Sequence, residues 1–231
     1  TIVLIPGFTC HPSTLRILAE FLKIYLWEDY NIIFAKSNTS WWLNHIDDTQ
    51  SLGAKLLSNL QDIQREHKTN GNMIMVGHSH GWPVAIRYIL EAKKQKWKKI
   101  LSWGSLPDNV KIHMIASPLW VVPTAKYPLG VLLPVLVELR KSKLFTDREI
   151  SIFISEIWSL TIHISGQDSL VPHWSQQIDQ YSLASHLRNK VEQIVHPYDN
   201  HCTAINGKRV GSVAEIIANR IRNSILTPSL H

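Results

Sequence analysis

Cysteine is nearly absent from this chain, with Cys10 and Cys202 the only two in 231 residues. Two cannot build a disulfide framework, so the fold must rest on its core and a reducing compartment is the default. Long apolar runs are missing as well. The most apolar stretch, residues 112–137, is broken by Lys126 and by prolines at 118, 123, 128 and 134. A membrane span needs about 20 apolar residues without such interruptions, so no transmembrane segment is expected. No pair of histidines or cysteines shows metal-ligand spacing, which leaves no metal or cofactor to expect. Internal repeats and low-complexity tracts are lacking too. No signal-peptide pattern stands before the first strand, which starts at the very beginning of the chain. A cytoplasmic location is the expectation, with a trimmed leader as the alternative.

What is present describes an ordinary globular protein, 45% hydrophobic and 18% charged, of a length that suits one large domain. Lys and Arg outnumber Asp and Glu by 24 to 18, for a net charge of +6. That balance favours acidic partners and says nothing about fold; no nucleic-acid partner is expected. Nine tryptophans suggest large apolar contact surfaces.

Strands and helices alternate along the chain. "TIVLIPGF" is a β-branched run stopped by Pro6-Gly7, and Leu15, Leu18, Ala19, Leu22 and Leu26 then recur at helical spacing. "NIIFAKS" and "MIMVG" read as the next strands, with a helix marked by Leu52, Leu56, Leu57 and Leu60 between them. A third helical stripe follows at Trp82, Ala85, Ile86, Ile89 and Leu90, then a fourth strand at "KKILSWG". Residues 107–158 break the rhythm and read as a cap or lid insert in one domain spanning 1–231. Order returns with the strand "SLTIHISG", a helix over roughly 173–188, the strand "KVEQIVH" and a last helix whose Ser212 and Glu215 form a capping box. The fold class is therefore α/β, a mostly parallel sheet with helices on both faces. In such sheets ligands bind beyond the carboxyl ends of the strands, so the residues there bear the chemistry.

Gly77-His78-Ser79-His80-Gly81 follows the third strand and opens the third helix. A G-x-S-x-G pentapeptide between strand and helix is the nucleophile elbow, with small residues two positions away so that the strained backbone avoids clashes. The plain alternative is an ordinary strand-to-helix turn. A serine hydroxyl needs a base to take its proton, and the base needs an orienting carboxylate. The chain order expected for this architecture is Ser, acid, His. Asp168 in "ISGQDSLVP" and His201 in "HPYDNHC" each follow a late strand and fill the two roles. Asp108, read as following the fourth strand, is the second candidate for the acid. The backbone N–H groups of His80 and Phe8 are the candidate oxyanion donors, since "PGF" follows the first strand and Gly7 allows close approach. Taken alone, Pro6-Gly7 would merely end a strand.

Together, "IVLIPGF", "VGHSHG", "SGQDSLVP" and the histidine of "DNHC" resemble the α/β-hydrolase superfamily, most closely its compact esterase and lipase members. The resemblance runs from residue 2 to residue 202. It implies an α/β-hydrolase fold and two-step acyl transfer, in which Ser79 attacks a carbonyl, His201 acts as base, and water releases the acyl group. The chain departs from the pattern in lacking a leading hairpin, in placing Pro6 where many members have histidine, and in an insert of unfamiliar sequence at the cap position.

The substrate expected is a small-molecule acyl ester. Trp41 and Trp42 after the second strand, and Trp120 and Leu132 in the insert, are candidate pocket residues, with plain packing as the alternative. A rival reading is a thioesterase, or an esterase of acyl groups on an acidic carrier protein. Arg140, Lys141, Lys143 and Arg148 would then supply the docking face. A more distant reading is a non-catalytic binding protein on the same fold.

Overall fold

The computed structural model describes residues 1–7, 15–26, 30–35, 49–67, 72–97, 109–119, 144–205 and 211–226. Among them, β1 (Ile2–Ile5), β2 (Ile32–Phe34), β3 (Asn72–His78), β4 (Asn109–Ile115), β5 (Ser159–Ser165) and β6 (Val191–His196) form one sheet. Its order is β2-β1-β3-β4-β5-β6, and every pairing is parallel. Helices α1 (Arg16–Leu26), α2 (Thr49–His67), α3 (Gly81–Trp97), α4 (Asp147–Glu156), the short α5 (Ser185–Arg188) and α6 (Val213–Leu226) connect or follow the strands.

The register explains why the sequence settles into this arrangement. Val3, Met75, Ile112, Leu160 and Val191 stand opposite one another in one row across five strands. In a parallel sheet such a row points to one face, and all five belong to the core shared with Leu56, Leu57 and Leu60 of α2, Ile86 and Ile89 of α3, and Phe153 and Ile154 of α4. The alternate positions Ile2, Leu4, Ile74 and Val76 pack on the other face with α1 and α6. Burying side chains of this kind stabilises the fold by about 1.5–3 kcal/mol each. The strand order doubles back between β1 and β3, the point at which open parallel sheets place their ligand sites.

Two sequence expectations are corrected. Residues 109–115, assigned to the insert over 107–158, are β4, the strand between β3 and β5. Their alternation of Val110, Ile112 and Met114 with Lys111 and His113 was masked by the polar members of the set. Asp108 and the strand expected at 98–104, which it was read as following, lie outside the described residues. At the other end of the insert, Asp147–Glu156 forms α4, capped by a reciprocal Thr146–Glu149 box. It docks on α3 through Arg87–Glu149 at 2.6 Å, Lys93–Glu156 at 2.5 Å and the Trp82–Phe153 ring contact at 5.0 Å. The helix expected over 173–188 is instead two 3₁₀ turns, His173–Gln176 and Gln180–Ser182, followed by α5. Here polar side chains compete with the helical ladder: the Gln176 amide bonds to Ser165 and Val171, and the Asp179 carboxylate accepts from Tyr181 N–H.

The face under α6 holds a line of buried histidines. His113 Nδ1 lies 3.2 Å from His163 Nε2, and His163 Nδ1 lies 3.1 Å from His196 Nε2. His196 Nδ1 in turn is 3.9 Å from a carboxylate oxygen of Asp199. That carboxylate favours a proton on His196 Nδ1, which leaves His196 Nε2 to accept from His163 Nδ1–H. His163 Nε2 then accepts from His113 Nδ1–H. One tautomer thus satisfies three neutral rings in line. Burial lowers all three, His113 to about 3 with help from Arg220 and Lys111, and His163 well below its ordinary value. Burial likewise lowers His78 and His80 to about 4.

These shifts predict acid lability. An unfolded histidine binds its proton near pH 6.5, whereas the folded ones resist protonation down to about 4 or below. Between those values the unfolded state holds more protons. Stability should therefore be full above about pH 6.5 and fall as pH drops toward 4, each group contributing up to about 1.4 kcal/mol per pH unit. Urea midpoints measured across pH 4–8 check this, and His163→Phe, which removes one such group, should flatten the slope.

Candidate active site

The turn between β3 and α3 is built by crowding. Ser79 sits at its apex with φ +52°, in the left-handed region that a non-glycine residue occupies only under strain. Its N–H donates to the Ile115 carbonyl at 2.9 Å, extending the β3–β4 pairing one residue past β3. A Cβ on Gly81 would lie 2.3 Å from the Ile5 carbonyl oxygen, and one on Gly77 would lie 3.0 Å from the Trp82 nitrogen. A Cβ on Gly7 would lie 2.7 Å from the Ser79 Cβ. The segment after β1 thus touches the serine directly, and both lie at the carboxyl edge where the strand order reverses. Ser79 itself is partly exposed.

Asp168 and His201 come from the loops after β5 and β6. His201 Nδ1 lies 2.7 Å from Asp168 Oδ2. The other carboxylate oxygen accepts from the N–H groups of Leu170 and Val171, each at 2.9 Å. Three donors therefore hold a side chain that is fully buried, while His201 keeps 14% of its side chain exposed. The two loops are stitched together: Gly166 N–H donates to the His196 carbonyl at 2.9 Å and Gln167 N–H to the Asp199 carbonyl at 3.0 Å. Asn200 fixes the segment around His201, its side-chain oxygen accepting from the N–H groups of Cys202 and Thr203.

Two histidines flank Ser79, and both are buried. His80 Nε2 pairs with the Thr49 hydroxyl at 2.9 Å, tying the elbow to the start of α2. His78 Nε2–H donates to the His201 carbonyl at 2.9 Å, and the two rings lie 4.9 Å apart. Sequence reading missed His78 and Asn200. The Asn200-x-x-Thr203 spacing is a capping signal that could have found the second; nothing in the sequence marks the first.

The structure thus brings Asp168 to His201 and gives Ser79, Gly77 and Gly81 the elbow geometry at the same sheet edge. Phe8, Trp41, Trp42, Trp120, Leu132 and Cys10 lie outside the described residues, as do Arg140, Lys141 and Lys143 of the basic cluster. Arg148 and Cys202 are exposed. Among the described residues no helix is long and apolar enough to cross a membrane, and no histidine, cysteine or carboxylate cluster is arranged to hold a metal ion.

No protein-family model matches the chain, and no curated protein matches its sequence. Solved structures do match its shape. A lipase from Bacillus licheniformis, in its mature form, is 12% identical with a TM-score of 0.63, over 98% of this chain and 91% of its own. The product of the lin2722 gene of Listeria innocua is 14% identical with a TM-score of 0.61, over 99% of this chain and 95% of its own. A hydrolase from Oleispira antarctica is 14% identical with a TM-score of 0.53, over 96% and 90%. With its parallel sheet and elbow turn, the chain has the α/β-hydrolase fold.

The contact at Gly81 gives a stability prediction. Gly81→Ala forces a methyl into backbone that cannot yield as a side chain would, so about 1–3 kcal/mol should be lost. For a chain of this size that corresponds to a Tm lower by roughly 2–12 °C. Thermal unfolding followed by circular dichroism checks it.

Proposed function

We propose that the protein is a serine hydrolase of carboxylic esters, with Ser79 as nucleophile, His201 as general base and Asp168 as the carboxylate that orients it. The observation that supports this best is the 2.7 Å contact from His201 Nδ1 to a buried carboxylate at the sheet edge where Ser79 is strained outward. The Asp168 carboxylate accepts the Nδ1 proton and so fixes the tautomer. This leaves Nε2 with a free lone pair to receive a proton.

In the first step Ser79 Oγ attacks the ester carbonyl while its proton passes to His201 Nε2. The carbonyl π electrons move to oxygen, and the His80 N–H, at the start of α3, is the donor for the oxyanion. Phe8 N–H remains the candidate for the second donor. Collapse expels the alcohol, which takes the proton from His201, and an acyl-Ser79 ester remains. Water then attacks that ester, giving its proton to His201, and the carboxylic acid leaves as Ser79 Oγ is reprotonated. The imidazolium formed in each step is stabilised by the Asp168 carboxylate that accepts its Nδ1–H. A lipase and another hydrolase among the structures of similar shape are compatible with this chemistry, although fold alone does not assign it.

A fluorophosphonate probe should label the wild-type protein at Ser79 and fail on Ser79→Ala. Asp168→Asn should lower kcat on a short-chain aryl ester by about 10⁴-fold, the scale of loss when a triad carboxylate becomes an amide. Equal labelling of the wild type and Ser79→Ala would remove the nucleophile assignment. A series of oxygen esters of increasing acyl length, assayed beside the matching thioesters, separates the esterase reading from the thioesterase one by kcat/KM.

A further inference from the structure

His78 is an unusual residue to bury at the end of β3, directly before the proposed nucleophile. Its Nε2–H donates to the main-chain carbonyl of His201, 123 residues away, at 2.9 Å. Because a carbonyl can only accept, the proton of neutral His78 is fixed on Nε2. Nδ1 is then a bare lone pair, and among the described residues it is buried without a hydrogen-bond partner. A phenylalanine or methionine would fill the same space and leave no orphaned nitrogen. The residue therefore makes a contribution that an apolar side chain could not, and its hydrogen bond to the His201 carbonyl shows what that is.

We propose that His78 is a positioning residue, whose N–H pins the backbone of His201 to strand β3 so that base and nucleophile share one frame. The inference rests on the reading of Ser79 and His201 given above. Ser79 follows His78 directly in the chain, and the Ser79 N–H is itself fixed to β4 through Ile115. Asp168 locates the His201 ring through Nδ1, and His78 locates its main chain. Two anchors, one on the ring and one on the backbone, leave the imidazole little freedom to swing on its loop.

The second requirement is electrostatic. The His78 and His201 ring centroids are 4.9 Å apart with planes at 50°, and Asp168 is close enough to influence His78 as well. During acyl transfer His201 becomes an imidazolium, and a cation at position 78 would oppose that charge. Burial keeps His78 neutral, its pKa lowered to about 4. Two histidines thus lie side by side, of which only the more exposed one is required to charge. A lysine or arginine could also donate to the carbonyl, but would bring a permanent charge.

The test uses His78→Gln, which keeps an amide N–H donor without a charge, beside His78→Phe and His78→Met, which keep bulk without a donor. Steady-state kinetics on an aryl ester, Tm, and the downfield proton resonance of the His201–Asp168 hydrogen bond are measured for each. Loss of the anchor should lower kcat by about 10²-fold in the Phe and Met variants, the scale of an ångström's misplacement, with KM within a few-fold of wild type. The downfield proton should exchange-broaden in those two. His78→Gln should restore both kcat and the resonance. Wild-type kcat and resonance in either the Phe or the Met variant would overturn the proposal, as would a Gln variant as impaired as they are. If the wild type itself shows no labelling at Ser79, the catalytic reading fails. The resonance still decides: its survival in the Phe and Met variants rejects an anchoring role, and its loss there with recovery in Gln retains it.

Discussion

A carbon added to Gly81 would stand 2.3 Å from the carbonyl oxygen of Ile5, and the arrangement at the carboxyl edge depends on that absence of a side chain. It lets the first turn of α3 settle against the end of β1. The chain leaving β3 must then reverse within a few residues, which drives Ser79 to φ +52°. The strain is held by a central strand bonded on both sides, β1 on one and β4 on the other. Such a conformation persists only where its surroundings over-determine it.

Around that bend the protein uses histidine as a neutral polar part. His80 joins the elbow to α2, His78 joins it to the His201 loop, and His113, His163 and His196 bond in line beneath α6. An imidazole can donate and accept at once, so it satisfies buried partners in series without bringing a charge into the core. The same property makes the core sensitive to acid, because each ring must stay unprotonated to remain where it is. Asp199 sets the polarity of the line from one end, and its loop also bonds to the loop of Asp168. The polar core and the candidate site therefore share a scaffold.

Sequence identities of 12–14% to structures of similar shape are understandable in these terms. Parallel strands buried on both faces ask mainly for apolar residues in alternating rows, a demand met by many sequences. The elbow asks for small residues at fixed offsets. Neither demand specifies a substrate, so a shared fold is silent on which ester, if any, is cleaved.

Five strands and the two elbow glycines were legible in the sequence because they rest on local rules: β-branched runs, helical spacing and the clash that a side chain would cause two residues from a sharp turn. Asp168 and His201 were legible by position, each lying just after a strand. β4 was not, since Lys111 and His113 interrupt its apolar pattern, and the burial of His113 depends on partners far along the chain. The 173–188 segment was misread for a related reason: helical spacing is visible locally, whereas the bonds of Gln176 to Ser165 and Val171 are not. The sequence alone determined an α/β chain with a serine on a tight strand-to-helix turn, and marked Asp168 and His201 as candidates that each follow a strand. Tertiary structure alone decided that Asp168 meets His201 at 2.7 Å and that His78 reaches His201 across 123 residues, because such contacts are set by the order and register of strands, which no local pattern encodes.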